Sequence, residues 1–432
     1  MSDYEFVSFD GLAGGGELGM IQAGMELKHR AGDLDLGWIV PETNRQIFGW
    51  NWDSLFIKGG EYSSRDVKSA RVLYGNCPCS AWSTLTRKDL RGSDAKVLVS
   101  TNAFFDYAGK MDPPPEIISL ESVQQAFSSG REYYQLQRDL LEERTGYKYD
   151  LVWLMQSNAS LGGSSVRKRV FITMSRIPFG VEYAQPARVA RFGDCVRDLE
   201  GMELTSSKQP HRRPPTWWSA PRRSTDNVDG HFNDPSENKK FEELMNMAAD
   251  MGQPWQIGES MDKICERVYK HYDELPDGWS VDYLKRKNFS LGLNQTTMWD
   301  PNGMGKVVTG SGYALSAHYK EHRLLTIRET FRLQGWPDTV NLWPSRDYKK
   351  IVACPGKGVP VDAGRWLGDW VIKVLDGEPG TVYGELIGEN ERMVNFTNSY
   401  KYTLNRERPW DHASNVRHEQ VMEDYYDDDV AV

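Results

Sequence analysis

The chain has no apolar run approaching the roughly 20 residues that a membrane-crossing helix needs. Its start, Met1-Ser2-Asp3-Tyr4-Glu5, lacks the basic and apolar stretches of a secretion signal. Both absences lead us to expect an intracellular protein without a membrane partner. Cysteine is scarce: five occur, at 77, 79, 195, 265 and 354. An odd, small number argues against a disulfide scaffold. Cys77 and Cys79 form a C-x-C, but no second cysteine pair or spaced histidine pair follows, which argues against zinc. A basic surplus is also missing. The 52 Lys and Arg against 61 Asp and Glu leave a net charge of −9, an unpromising balance for a nucleic-acid binder. That average conceals an asymmetry, because the stretch from Arg167 to Arg223 is strongly basic while Glu423 to Asp429 is acidic. An acidic terminus is ordinarily a solvated tail and carries no functional weight.

What is present suits a globular protein of two or three domains, with hydrophobic residues at 39% supplying a large core. Residues 1–173 alternate strand-like and helix-like segments. Phe6 to Phe9 reads as a short strand running into a Gly-rich turn, Gly11 to Gly19, and then a helix through Met20, Ile21, Ala23 and Met25. Further strands are expected at Trp38–Val40, Ala70–Tyr74, Ile117–Leu120, Leu151–Met155 and Val170–Thr173, with a helix over Val123–Arg144. Apolar strands separated by helices indicate an α/β fold with a doubly wound, mostly parallel sheet. From 174 to about 321 the periodicity fades, proline, arginine, tryptophan and glycine rise, and a second, smaller and irregular domain is expected. Regularity returns over 322–376, with helices at Arg328–Gln334 and Ala363–Leu375. Residues 377–432 form a polar extension. No internal repeat is visible.

Four segments bear on chemistry. Phe9 to Gly19 (F-D-G-L-A-G-G-G-E-L-G) is a Gly-rich strand-to-helix turn, able to let a ligand approach the backbone but equally readable as a turn without a ligand. No G-K-[ST] follows, so it is not a phosphate loop. Glu42, just after the strand at 38–40, is placed to bind ribose hydroxyls. Asp66, ahead of the strand at 70–74, is placed to accept from an adenine amino group. Gly75 to Ser83 (G-N-C-P-C-S-A-W-S) sets Cys79 at the carboxyl end of a strand, where doubly wound folds bind ligands. A free thiol, with a pKa of about 8.5, needs activation to act as a nucleophile. Leu120-Glu121-Ser122-Val123 puts a carboxylate at the next strand end. In Ser164 to Ile172, Arg167 and Arg169 flank Lys168 at a strand start, so both arginines point to one face.

In order and spacing these segments resemble the DNA cytosine-5 methyltransferase family. Pro78-Cys79 followed by Ser83 resembles its P-C-x-x-x-S loop, Leu120–Val123 its E-N-V, and Arg167-Lys168-Arg169 its Q-x-R-x-R. Arg323 to Asp338 (R-L-L-T-I-R-E-T-F-R-L-Q-G-W-P-D) resembles R-x-L-T-x-R-E-x-x-R-L-Q-G-F-P-D, and Gly356-Lys357-Gly358-Val359-Pro360 resembles G-N-x-V-P. The F-D-G start is of the type found in vertebrate de novo enzymes and some phage enzymes. The resemblance covers 6–173 and 322–375, and 323–338 is its most specific block. It implies the S-adenosylmethionine-dependent methyltransferase fold, with residues 1–173 and 322–376 as catalytic domain, 174–321 as target-recognition domain, and 377–432 as an extension. It further implies a base-flipping reaction in which Cys79 attacks carbon 6 of cytosine, Glu121 holds the base, and Arg167 and Arg169 hold its carbonyl.

The implied cofactor contacts are Phe9, Asp10, Gly11, Ala13, Gly14, Glu42, Asp66, Pro78, Lys357, Gly358 and Val359. Double-stranded DNA is the implied partner. Its contacts are expected from Ser83, Arg87 and Lys88 in the loop after the nucleophile, a loop expected to be mobile. Further contacts are expected from Arg212, Arg213, Trp217, Trp218, Arg222 and Arg223, where cations, turns and aromatics interleave. An ordinary basic loop is the competing reading of that last stretch. The absence of eukaryotic accessory domains suggests a bacterial or viral source. The expected form is a monomer in the cytoplasm of a bacterial or phage-infected cell.

Three departures stand out. Ser165 replaces the usual glutamine, Cys77 replaces a proline, and Lys357 replaces the asparagine that in the family lies near the sulfonium end of the cofactor. Two like charges about 4 Å apart repel by roughly 1 kcal/mol in water and roughly 4 kcal/mol in a partly buried site. An anion should therefore accompany Lys357. It is either a protein acid or a carboxylate on the donor, carboxy-S-adenosylmethionine, whose product would be 5-carboxymethylcytosine. Competing readings are plain methylation from S-adenosylmethionine, an RNA cytosine methyltransferase, an inactive DNA-binding relative, and a generic nucleotide binder. The last leaves 323–338 unexplained.

Overall fold

The computed structural model describes residues 3–11, 14–33, 54–57, 67–84, 86–178, 180–183, 185–186, 188–200, 247–252, 263, 267–268, 297–305, 307–308, 316–320, 325, 327–340, 355–356, 358–378 and 380–407. The chain divides into two compact units, one of residues 1–189, 334–336 and 357–432, the other of residues 190–333 and 337–356.

The first unit is built on a nine-stranded sheet. In chain order its elements are β1 (Glu5–Phe9), α1 (Gly15–Gln22), β2 (Glu26–Asp33), β3 (Ser54–Ile57), β4 (Val72–Gly75), α2 (Leu98–Lys110), β5 (Ile117–Ser122), α3 (Gln125–Thr145), β6 (Asp150–Ser157) and β7 (Lys168–Ser175). The second unit contributes α4 (Phe192–Val196), β8 (Thr297–Met298), β9 (Ser316–Ala317) and α5 (Ile327–Arg332). The first unit then resumes with α6 (Val361–Leu375), β10 (Glu385–Gly388), β11 (Glu391–Asn395) and α7 (Tyr400–Glu407). The spatial order is β10-β11-β6-β7-β5-β4-β1-β2-β3. β1 through β6 and β11 run in one direction, while β7 lies antiparallel between β5 and β6 and β10 is antiparallel to β11.

The strands are apolar on both sides because both faces are covered. On one face Leu73, Ile118, Leu120 and Trp153 meet Phe104, Tyr107 and Tyr134 from α2 and α3. On the other, Phe6, Val72, Leu154 and Phe171 meet Met20 of α1 and Leu367 and Val371 of α6. α1 and α6 cross with backbones nearly touching. A Cβ on Gly364 would fall 2.3 Å from the Gly16 carbonyl oxygen, and one on Gly19 would fall 2.2 Å from that of Val361. The doubly wound, mostly parallel sheet expected from the sequence is therefore present.

Some boundaries differ from the sequence reading. The first helix ends at Gln22, and Met25 lies in the connection to β2. The second strand is Glu26–Asp33, whereas Trp38–Val40 lies outside the described residues. β2 escapes a pattern search because its sequence, E-L-K-H-R-A-G-D, is polar. Its buried Arg30 is accommodated by an ion pair with Glu17, which is wholly buried in α1 (Nη2 to Oε1, 3.0 Å). The polar extension is not a loose appendage. β11 pairs with β6 in parallel, from Glu391 opposite Leu151 to Asn395 opposite Met155. Glu391, buried, receives Arg131 through two nitrogens (2.9 and 2.7 Å), Gln135 (2.7 Å) and the indole of Trp153 (2.7 Å).

In the second unit β8 and β9 form a short parallel pair. Arg332 of α5 donates from Nε to Asp338 (2.8 Å) and from Nη1 to Asp198 (2.6 Å). Arg328 donates to the Val340 carbonyl at 2.8 Å. Two arginines of the block at 323–338 thus fix the turn that follows them.

Candidate active site

In a sheet of this winding the carboxyl ends of the parallel strands form the ligand edge. β7, running the other way, brings its first residues to that edge. The turn after β1 is tight. Gly14 has φ +86 and ψ 11, a left-handed conformation that favours glycine, and its amide donates to the Gly11 carbonyl at 2.7 Å. Asp10, also left-handed (φ +50), donates its amide to Ala31 (2.8 Å) and accepts from the Ser100 hydroxyl. A Cβ on Gly15 would fall 2.1 Å from the Val359 carbonyl oxygen. The Gly-rich turn therefore lies against the loop that carries Gly358 and Val359.

The nucleophile segment is held at both ends. The Asn76 amide donates to Phe9 of β1 at 3.1 Å, and Cys79 opens a single 3₁₀ turn closed by Trp82 onto its carbonyl at 3.0 Å. The Trp82 indole donates to Tyr134 of α3 at 3.1 Å. Pro78 caps that turn. Cys79 is half-buried. Burial pushes its thiol up, Arg169 pulls it down, Glu121 pushes it up and Arg167 pulls it down, with a net rise.

Glu121, next to the last residue of β5, is almost wholly buried, and its Oε1 lies 2.9 Å from Nε of Arg169. The alignment is poor for a hydrogen bond, and neither atom has a hydrogen-bond partner. Arg167, buried, donates to the Gly358 carbonyl at 3.2 Å. Burial and the neighbouring Arg169 draw its guanidinium down from the ordinary arginine range, while Glu121 and Cys79 oppose that shift. As the strand alternation required, Arg167 and Arg169 are covered while Lys168 between them is exposed. The structure thus gathers Cys79, Glu121, Arg167 and Arg169 at one edge, with Gly358 joined to them.

Other anticipated residues fall as follows. Phe9 has its ring in the core, edge-on to Phe104 and Tyr107 at 5.8 and 5.7 Å, and its carbonyl receives the Asn76 amide. Ser83 is half-buried and its carbonyl accepts the Thr86 amide (3.1 Å). Arg87 and Lys88 are exposed, with Arg87 paired to Asp89 at 2.8 Å. Their loop carries internal bonds, including Gly92 to Ala81 (2.9 Å) and Arg91 to the carbonyls of Thr84 and Thr86. Ala13, Glu42, Asp66, Lys357, Arg212, Arg213, Trp217, Trp218, Arg222 and Arg223 lie outside the described residues.

The sequence reading missed several groups. Asp33 is the last residue of β2. Glu17 accepts from Ser8 (2.7 Å) and Arg30, and its carboxylate occupies the space a Cβ on Gly11 would need. Gln156 stands opposite Arg169 in the β6–β7 register. Its amide oxygen, like Asn76 Nδ2, is buried without a hydrogen-bond partner. Buried polar atoms without partners, Gln156 Oε1 and Asn76 Nδ2, fit a polar ligand at this edge.

The description "C-5 cytosine-specific DNA methylase" matches residues 5–373. The chain belongs to that family. A protein of Oceanobacillus iheyensis named as a type II methyltransferase is 27% identical over 164 residues, 35% of this chain and 34% of that protein. The chain therefore spans about a third of the curated relative it matches. Among solved structures, it is similar to the Entamoeba histolytica methyltransferase EhMeth (TM-score 0.54, 11% identity, 87% of this chain and 99% of that one). It is also similar to a protein of E. coli described as a DNA modification methyltransferase encoded within a prophage (TM-score 0.52, 14% identity, 86% and 99%). At these identities the structures bear on fold alone, and the fold is the methyltransferase one. Residues 377–432, with β10, β11 and α7, lie beyond the part of the chain that the family description matches. No described helix is long and apolar enough to cross a membrane.

Proposed function

We propose that this member of the family alkylates carbon 5 of cytosine in double-stranded DNA, with Cys79 as nucleophile. The observation that carries the reading is the Glu121–Arg169 contact at the edge occupied by Cys79, with Arg167 beside it. The Cys79 thiolate adds to carbon 6 of a base turned out of the duplex. Glu121 bonds the ring nitrogen and exocyclic amine, for which its buried carboxylate is suited. Arg167 and Arg169 hold the base carbonyl and favour the thiolate. Carbon 5, made electron-rich, captures the transferred carbon as that carbon's bond to the donor's sulfur breaks, which would leave the donor as a neutral thioether. It then loses its proton, and the sulfur–carbon 6 bond breaks to return Cys79. The turn from Asp10 to Gly15, Asp33 at the end of β2, and the Gly358–Val359 loop would hold the sulfonium donor, which supplies an electrophilic carbon. Arg87 and Lys88 face the DNA backbone. The second unit, with Arg212, Arg213, Trp217, Trp218, Arg222 and Arg223, reads the target.

Lys357 narrows the donor. In sequence, Lys357 stands where the family's G-N-x-V-P has the asparagine near the sulfonium; an ammonium there would be unfavourable unless an anion intervened, and a carboxylate on the transferred group would supply one. Carboxy-S-adenosylmethionine is therefore the donor we favour, with S-adenosylmethionine as the alternative. Nucleoside mass spectrometry of duplex DNA incubated with the protein and each donor separates them. The expected product with the carboxylated donor is 5-carboxymethylcytosine, shifting toward 5-methylcytosine in Lys357→Asn. Exclusive 5-methylcytosine with both donors present would refute the donor assignment. Undiminished modification by Cys79→Ser would refute the mechanism.

A further inference from the structure

Gln156 is 1% exposed beside the Glu121–Arg169 contact, and its amide oxygen has no hydrogen-bond partner in the protein. Its place is fixed by the sheet. β7 lies between β5 and β6. Glu121 of β5 is in register with Phe171 of β7, and Phe171 with Leu154 of β6. One row nearer the ligand edge, Gln156 stands directly opposite Arg169, a placement that sets Cβ atoms about 4.5–5.5 Å apart. Leu154 and Phe171 belong to the apolar layer that includes Leu367 of α6, so strand alternation sends Glu121, Arg169 and Gln156 to that same side. Arg169 thus has a buried acceptor on each flank, a charged one on β5 and a neutral one on β6. Its Nε lies 2.9 Å from Glu121 Oε1 without making a hydrogen bond to it, and Gln156 Oε1 receives nothing.

We propose that Gln156 is a positioning residue for Arg169, accepting its guanidinium when Glu121 turns to the base. The reaction asks the carboxylate to bond the ring nitrogen and exocyclic amine, which weakens its hold on Arg169. Arg169 must nevertheless keep its place, to hold the base carbonyl and to favour the Cys79 thiolate. It is the largest of the influences that lower that thiol, with Arg167 second, while burial and Glu121 raise it. A carboxamide oxygen on the other flank supplies the replacement acceptor. Being neutral, it does so without raising the thiol as a second carboxylate would. An unpartnered buried oxygen costs stability, and bonding to Arg169 removes that cost. The inference rests on the reading of Cys79 as nucleophile and Glu121 as the group that holds the base.

Gln156→Met and Gln156→Leu keep most of the side-chain bulk and remove the acceptor. Single-turnover transfer to duplex DNA, at saturating DNA and with S-adenosylmethionine or carboxy-S-adenosylmethionine, is followed against pH for each variant, together with kcat/KM and the melting temperature. Displacing a reacting group by about 1 Å can cost 10²-fold, so the single-turnover rate is expected to fall about ten- to hundredfold, with its alkaline rise moved to higher pH. The alkaline rise of kcat/KM, set by the free protein in which Arg169 lies against Glu121, should keep its position. The melting temperature should be unchanged or higher, because the new side chains need no partner. An unchanged rate and profile in both variants overturns the proposal. So does a reduced rate with an unmoved alkaline rise and a lowered melting temperature, which would give Gln156 a purely structural role. Absence of transfer by the unsubstituted protein, or undiminished transfer by Cys79→Ser, would instead overturn the underlying reading, and the proposal with it.

Discussion

Replacing Glu391 by alanine should unfasten the C-terminal hairpin from the sheet. The carboxylate is fully buried and accepts four hydrogen bonds, two from Arg131 and one each from Gln135 and Trp153. Breaking a buried ion pair by removing one partner costs about 3–5 kcal/mol, because the other charge is stranded. The Arg131 side chain is 35% exposed and can recover water, which places the loss near the lower end. The Trp153 indole is wholly buried, and an orphaned donor of that kind costs about 1–3 kcal/mol. These contributions overlap, so the expected loss is about 3 kcal/mol for Glu391→Ala and less for Glu391→Gln, which keeps an acceptor. Denaturant unfolding measures the loss, and amide exchange should show lost protection over residues 385–395. A loss under about 1 kcal/mol would refute the reasoning. The pH dependence gives a second check. Burial alone would raise the Glu391 carboxyl, but the bonds from Arg131, Trp153 and Gln135 outweigh it and hold it below the ordinary range. A folded-state value below the unfolded one means stabilisation that is complete above about pH 4.3 and fades as the pH falls through the folded value. The stability gap between the unsubstituted protein and Glu391→Gln should narrow over that interval.

Two further outcomes bear on the site itself. Arg169→Gln removes the strongest influence lowering the Cys79 thiol, so the alkaline rise of kcat/KM should move to higher pH. A profile that keeps its position would exclude Arg169 from thiolate stabilisation. Gly15→Ala forces a methyl against the Val359 carbonyl, a contact of 2.1 Å that only backbone displacement relieves. Overpacking of this kind costs about 1–3 kcal/mol or more. Donor affinity measured by calorimetry should fall at least tenfold, and unchanged affinity would show that the turn does not shape the donor site.

Legibility in the sequence followed the physics of each element. β4, β5, β6 and β7 are covered on both faces and announce themselves as unbroken apolar runs. Strand ends and strand alternation place Cys79, Glu121, Arg167 and Arg169 at one edge, while the roles expected of them came from the resemblance of their order and spacing to the methyltransferase family. β2 stayed hidden because its interior is polar, satisfied by a Glu17 that no local pattern assigns to it. The strand expected at Trp38–Val40 and the acid expected at Glu42 lie outside the described residues. β11 was invisible for a related reason. Its anchor is a carboxylate whose partners, Arg131, Gln135 and Trp153, precede it by some 240 residues or more, a separation over which spacing carries no information.

The crossing of α1 and α6 has a consequence for biosynthesis. The two helices belong to opposite ends of the polypeptide, yet their glycines leave room for nothing but each other. While a ribosome is still making the intervening unit, Met20 and its neighbours on α1 face solvent. Leu367 and Val371, which complete the layer around Met20, come only with α6, so this face of the sheet can close only after residue 375 has been made.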